Sequence, residues 1–150
     1  VKVFALHREQ SVPRPRAEVF ALFERPENLA LITPASLGFQ LLTPGPIEMR
    51  AGALIDYVIH VLGLPVRWTT LIAAYEPPHR FVDVQLRGPY TFWHHTHTFA
   101  EADGRTRITD DVRYALPFGP LGVAVHALLV RRQLAGIFAH RSEVIGRLFA

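Results

Sequence analysis

Imidazole changes charge near neutral pH and can offer a metal a neutral nitrogen, and three of this chain's eight histidines fall in one run, Trp93-His94-His95-Thr96-His97. On an extended strand alternate side chains share a face. His95 and His97 therefore project together with Trp93 and Phe99, while His94 projects the other way with Phe92, Thr96 and Thr98. The apolar partners turn the first set inward. Two adjacent imidazoles begin a metal site, but such a site needs a third or fourth ligand, and no acidic residue stands at a diagnostic spacing from them. The expectation is a hydrogen-bonded pair, ligand-facing or structural, with neither metal nor cofactor.

Carboxylates come next. Asp110 shares a face with Ile108, Val112 and Tyr114, and the Asp103-Gly104 turn folds its strand beside the histidines. A carboxylate beside His97 is expected to raise that histidine's pKa and orient its ring. His95 or His97 with Asp110 makes a candidate catalytic set, a general base with Tyr114 as proton donor, or a buried polar pair with no turnover. Asp83, Gln85 and Arg87 share one face of an earlier strand, opposite Val82, Val84 and Leu86. Either face can be the inner one. If the valines fill the core, the polar triplet is a solvated outer face; if the triplet points inward with Phe81, Asp83 meets a histidine.

Trp68 reads as core or pocket wall. Tyr57 falls with Ile55 and Ile59 and carries its hydroxyl inward, whereas Asp56 and His60 read as outward groups. Of Arg131 and Arg132, one is expected to be solvated and one to bridge to the sheet or meet an anionic ligand. The candidate ligand-binding set is Tyr57, Trp68, Asp83, Gln85, Trp93, His95, His97, Phe99, Asp110 and Tyr114.

The elements that must hold these residues follow from periodicity and punctuation. Loose alternation over 1–12 stops at Pro13-Arg14-Pro15, and two helical pieces, 17–23 and 27–32, run between Pro15 and Pro34. Six strand-length segments follow, 37–42, 54–62, 66–75, 80–87, 90–100 and 105–116, separated by Pro- and Gly-rich turns such as Gly63-Leu64-Pro65. Short links predict an antiparallel meander. From 121 to 149 a helical pattern without proline carries Leu121, Val125 and Leu128, then Leu134, Ile137, Phe138, Ile145 and Leu148. The order β-αα-β6-α predicts an α+β domain whose seven-stranded sheet wraps a long C-terminal helix. A sheet about 30 Å wide cannot be covered by one cylinder about 10 Å across. The uncovered concave face becomes a cavity for a hydrophobic small molecule.

Bulk properties exclude other classes. The 150 residues, 49% of them hydrophobic, suit one domain over 1–150. Zero cysteines exclude disulfides, thiolate metal sites and a cysteine nucleophile. The net charge is +3, but the basic groups are dispersed, Lys2 is the only lysine, and no nucleic-acid partner is expected. Neither a Gly-rich phosphate loop nor a serine-nucleophile motif is present. No stretch approaches the roughly 20 apolar residues of a membrane span, and the opening residues lack a signal-peptide pattern. A cytoplasmic protein without stable membrane insertion is expected, its oligomeric state left open.

Several runs resemble a bacterial branch of the SRPBCC ligand-binding proteins, in the START/Bet v 1-like superfamily. They are Asn28-Leu29 with Thr33-Pro34, the stretch from Gly63 to Trp68, that from Phe81 to Tyr90, that from Trp93 to Phe99, and that from Asp110 to Gly119. The resemblance covers nearly the whole chain. It implies a helix-grip fold and relatives that include lipid carriers and polyketide cyclases, some fused to an epimerase-like domain labelled as a cell-division inhibitor. Binding of a lipid or polycyclic aromatic is the first functional expectation. A cyclase or dehydratase using a His-Asp base is the alternative, and partnership with an epimerase-like protein is implied by the fused relatives alone.

Overall fold

A computed structural model describes residues 1–150. Strand β1 (Phe4–Val12) leads into helix α1 (Arg16–Phe23), a 3-10 turn at Pro26–Asn28, the short helix α2 (Leu29–Ile32) and a second 3-10 turn at Ala35–Leu37. Six strands follow: β2 (Gln40–Leu41), β3 (Leu54–Val61), β4 (Leu64–Glu76), β5 (Arg80–Arg87), β6 (Phe92–Ala102) and β7 (Arg105–Ala115). The chain ends in α3 (Gly119–Val125), a π-helical turn (His126–Val130) and α4 (Arg131–Leu148). All seven strands form one antiparallel sheet in the order β1-β7-β6-β5-β4-β3-β2. This is the expected α+β helix-grip arrangement.

Local chemistry accounts for the turns. Asp103 and Gly104 have φ of 54° and 74°, and Leu62 and Gly63 have φ of 52° and 79°. Paired left-handed residues give two-residue hairpins the twist that adjoining strands require. The second turn therefore lies one residue earlier than Gly63-Leu64-Pro65 implied, and Leu64 and Pro65 belong to β4. Expected over 37–42, β2 is reduced to Gln40–Leu41, because the backbone coils at Ala35–Leu37 and leaves that coil through Gly38 at φ 53°. A Cβ there would stand 2.7 Å from His60 Nδ1, so the position requires glycine sterically as well as conformationally.

The C-terminal helix departs from expectation in its first half. Leu121 and Leu128 are 65% and 72% exposed, so the early part of the apolar stripe lies beyond the sheet's cover. The π turn breaks the regular repeat between the two halves. Within Gly119–Leu148 there is also a window long and apolar enough to cross a membrane, which the sequence reading did not anticipate. The second half nevertheless packs as a core helix: Leu134, Phe138, Arg141 and Ile145 recur every three or four residues and are all buried.

Two apolar clusters share the concave face. One gathers Val19, Phe20, Phe23, Phe81, Phe99, Ile108 and Ile145; the other gathers Trp68, Trp93, Val112, Tyr114, Leu134 and Phe138. Inward residues of β6 run from Trp93 in the second cluster through His95 and His97 to Phe99 in the first, and β7 runs likewise from Val112 through Asp110 to Ile108. On α4, Arg141 lies between Phe138 and Ile145. The fold thus seats a polar layer between two apolar ones, crossing from sheet to helix.

Candidate functional site

Register sets the polar layer. Asp83 in β5 faces His95 in β6, and Asp110 in β7 faces His97. The side chains bond diagonally. His95 Nε2 donates to Asp110 Oδ1 at 2.8 Å, and His97 Nε2 donates to Asp83 Oδ2 at 2.5 Å. The imidazole rings stack, with centroids 3.6 Å apart. Arg141 Nη2 reaches from α4 to Asp110 Oδ1 at 3.2 Å and to His97 Nδ1 at 3.4 Å. Because the guanidinium only donates, His97 Nδ1 is the accepting nitrogen and its proton sits on Nε2. The Arg141 guanidinium also stands over the rings of Phe23 and Phe138, 5.2 and 5.6 Å from their centroids.

Electrostatics here follow burial first. Burial in this layer, helped by the field of His95, drives the His97 pKa down to about 4 and outweighs the stabilising bond from Asp83. A carboxylate beside His97 was expected to raise that value. It falls instead, because removing imidazolium from water costs more here than one carboxylate returns. For Asp110 and Asp83 burial opposes ionisation, yet Arg141 leads the forces that hold Asp110 well below the ordinary carboxylate range, and His95 and His97 do the same for Asp83.

A cavity of about 280 Å³ opens between this layer, the second apolar cluster and the early helices. Of its 32 lining residues 21 are hydrophobic. That proportion and size place it at the small end of sites for apolar molecules. Tyr57, Trp68, Asp83, Trp93, His95 and His97 line it, with Arg141 and Leu29. Burial pushes the Tyr57 hydroxyl well above its ordinary pKa, so it is present as a neutral phenol.

Four other candidates stand elsewhere. Gln85 folds back on the Tyr90 backbone, accepting from its N–H and donating to its carbonyl, which closes the loop after β5. Phe99 is packed edge-on against Phe20 in the first cluster, away from the cavity. Asp110 lies behind the histidines. Tyr114 spends its hydroxyl on His126 Nε2, 2.7 Å away in the π turn, which removes it as a proton donor to the cavity. The open question of β5 is resolved by Asp83, which turns inward with Phe81 while Leu86 is exposed on the other face.

Arg141 was missed. Arg131 and Arg132, the arginines expected to matter on this helix, are both exposed. A signal existed: Leu134, Phe138, Arg141 and Ile145 share one helical stripe, so Arg141 interrupts an otherwise apolar face. Asp56, read as outward, accepts from Thr69 and Arg67 on that face, whereas His60 Nδ1 is buried without a partner beneath Gly38.

The same architecture recurs in solved structures. A protein of Thermus thermophilus superposes with a TM-score of 0.74 at 16% identity, covering 98% of this chain and 100% of that one. The Zhui aromatase/cyclase of a Streptomyces species gives 0.70 at 16% identity, covering 99% and 98%. A nucleoside-diphosphate sugar epimerase of Corynebacterium glutamicum gives 0.65 at 23% identity, with 95% of this chain matching 28% of that one. No curated protein matches the sequence. Residues 4–142 match the family model described as polyketide cyclase / dehydrase and lipid transport, and the chain belongs to that family.

Proposed function

We propose that this protein binds a hydrophobic small molecule, a lipid or a polycyclic aromatic, in the cavity between sheet and helix, as a carrier or sensor in the cytoplasm. The observation that carries this reading is an apolar cavity of about 280 Å³ with one polar wall, formed by Asp83, His95, His97 and Arg141. Apolar lining supplies affinity by removing guest surface from water, at about 25 cal/mol per Å². The polar wall supplies orientation. Two donors in wall residues, Trp68 Nε1 and Arg141 Nε, have no partner, which favours a guest bearing an acceptor oxygen. The test is native mass spectrometry of freshly purified protein followed by solvent extraction. Retention of an apolar species in the wild type, reduced when the cavity-lining Ile137 is changed in Ile137→Glu, supports the reading; an empty wild type that also leaves anilinonaphthalene sulfonate dark sinks it.

A second reading, turnover of the cyclase or dehydratase type, rests on His95. Its Nε2 is held by Asp110, while Nδ1 makes no hydrogen bond and belongs to a cavity-wall residue. That is the geometry of an oriented general base. Chemical change of a bound polyketone, lost in His95→Gln, separates the enzyme from the carrier. Partnership with an epimerase-like protein is supported only by the Corynebacterium glutamicum match, in which a domain of this shape shares one chain with the epimerase.

A further inference from the structure

The cluster reveals what linear spacing conceals. A third ligand for His95 and His97 is absent within β6 itself, but the β5–β6 pairing brings Asp83 opposite His95. Nitrogen and oxygen ligand atoms of Asp83, His95 and His97 all lie within 4.8 Å of one another. We propose that these three side chains form a binding site for a first-row divalent cation, with its remaining coordination position open to the cavity.

Geometry supports a four-coordinate ion. Bond lengths of about 2.0 to 2.2 Å to nitrogen and oxygen put tetrahedral ligand atoms roughly 3.3 Å apart. The separations present, 2.5 Å from His97 Nε2 to Asp83 Oδ2 and 3.7 Å from His95 Nδ1 to the same oxygen, bracket that value. Modest side-chain rotation equalises them. On binding, the His97 proton moves from Nε2 to Nδ1, so the ring stays neutral, and Arg141 Nη2 gives up Nδ1 and keeps Asp110 Oδ1, 3.2 Å away.

The ligand atoms are also prepared. With Nε2 committed to Asp110, His95 leaves Nδ1 3.7 Å from Asp83 Oδ2, beyond hydrogen-bond reach and wide enough for an ion to enter. Asp110 then serves as the carboxylate that orients a ligating imidazole, itself held by Arg141 at 3.2 Å. Charge favours the same species. With neutral imidazoles, Asp83 and Asp110 exceed Arg141 by one negative charge; a divalent ion reverses that excess by one, leaving the site suited to one anionic oxygen from the guest. Two histidines and a carboxylate on paired strands, lining an apolar cavity, suit zinc or iron(II) better than calcium or magnesium.

The ion and the general base use the same His95 lone pair and exclude each other at any moment. The site does not depend on the guest. Protein stripped with EDTA and titrated with cobalt(II) should take up one equivalent and develop the intense visible bands of a low-symmetry site, bleached by zinc(II). His95→Gln and Asp83→Asn should each abolish those bands, and Asp110→Asn should weaken binding about 10- to 100-fold. Far-ultraviolet circular dichroism establishes that each variant is folded, and His7→Gln removes an exposed histidine as a control. An absent spectrum in folded wild type, or one that survives His95→Gln and Asp83→Asn, overturns the site. The dye assay keeps the readings apart: dye binding without cobalt refutes only the metal, and cobalt without dye refutes only the apolar guest.

Discussion

Asp110 and Asp111 are neighbours on β7, and each holds a histidine, yet they look into different media. Asp111 meets His7 across the outer face at 2.5 Å, with both side chains more than half exposed. Asp110 meets His95 across the inner face at 2.8 Å, with both nearly shut from water. On the outer face the carboxylate bond dominates and the His7 pKa rises. On the inner face the adjoining couple is His97 with Asp83, and there burial dominates and the His97 pKa falls to about 4. Contact alone does not set the sign. The cost of desolvating imidazolium decides it, and the inner layer tolerates two carboxylates because Arg141 supplies the compensating charge.

The inner face is most sensitive at Arg141. Arg141→Met leaves Asp83 and Asp110 buried without their cation, a change that costs about 3 to 5 kcal/mol in comparable buried pairs. Arg147→Met removes an exposed guanidinium 3.9 Å from Glu143 and should stay within about 0.5 kcal/mol of wild type. Urea denaturation at neutral pH measures both. Equal midpoints would show that the inner layer is solvated.

Acid sharpens the contrast next. A histidine whose folded pKa lies below its unfolded value binds fewer protons in the native state between the two, so stability rises with pH there. For His97 that window runs from about 4 to 6.5. Its contribution is complete above 6.5 and is lost as the pH falls toward 4, amounting to about 3 kcal/mol by linkage. The lowered carboxylates, Asp83 and Asp110, act only below the ordinary aspartate value of 3.8. His97→Phe should flatten the slope between pH 6.5 and 4 in denaturation curves; an unchanged slope would assign it to another group.

A smaller effect is expected at Asp110. Asp110→Asn keeps the shape but weakens charge-assisted bonds to His95 and Arg141, costing about 1.5 to 3 kcal/mol. If Arg141→Met and Asp110→Asn are combined, their costs should fall short of additive, because the second change removes a charge that the first had orphaned.

The inner and outer faces also differ in what the sequence disclosed. Alternation along β6 places His95 and His97 with Trp93 and Phe99, and the Asp103-Gly104 turn places β7 beside it, so both histidines and Asp110 were visible as neighbours. Period-two patterning does not say which side of β5 is inner when one side is Asp83 and Gln85 and the other is valine. Tertiary pairing settled it: an aspartate that completes a buried polar layer can occupy a face that composition alone would give to solvent. Tyr114 shared the correct face, but its hydroxyl was diverted by a π turn that no periodicity signals. Leu121 and Leu128 followed the helical stripe into a region the sheet does not cover, since amphipathic spacing reports a face without reporting its partner.

The outer couple provides the mildest and cleanest check. The His7 pKa is raised chiefly by the bond to Asp111, with Glu9 at 3.3 Å adding to it. A raised folded pKa stabilises below the unfolded value of 6.5 and fades as pH climbs through the folded one, opposite to His97. In Asp111→Asn the His7 ring protons, followed by NMR, should titrate closer to 6.5, while the denaturation midpoint stays where it was. Both side chains are already hydrated, so breaking their bond strands no charge. A drop in stability comparable to that of Asp110→Asn would mean that the outer face of β7 is covered, and the sign difference between the two histidines would then need a cause other than water.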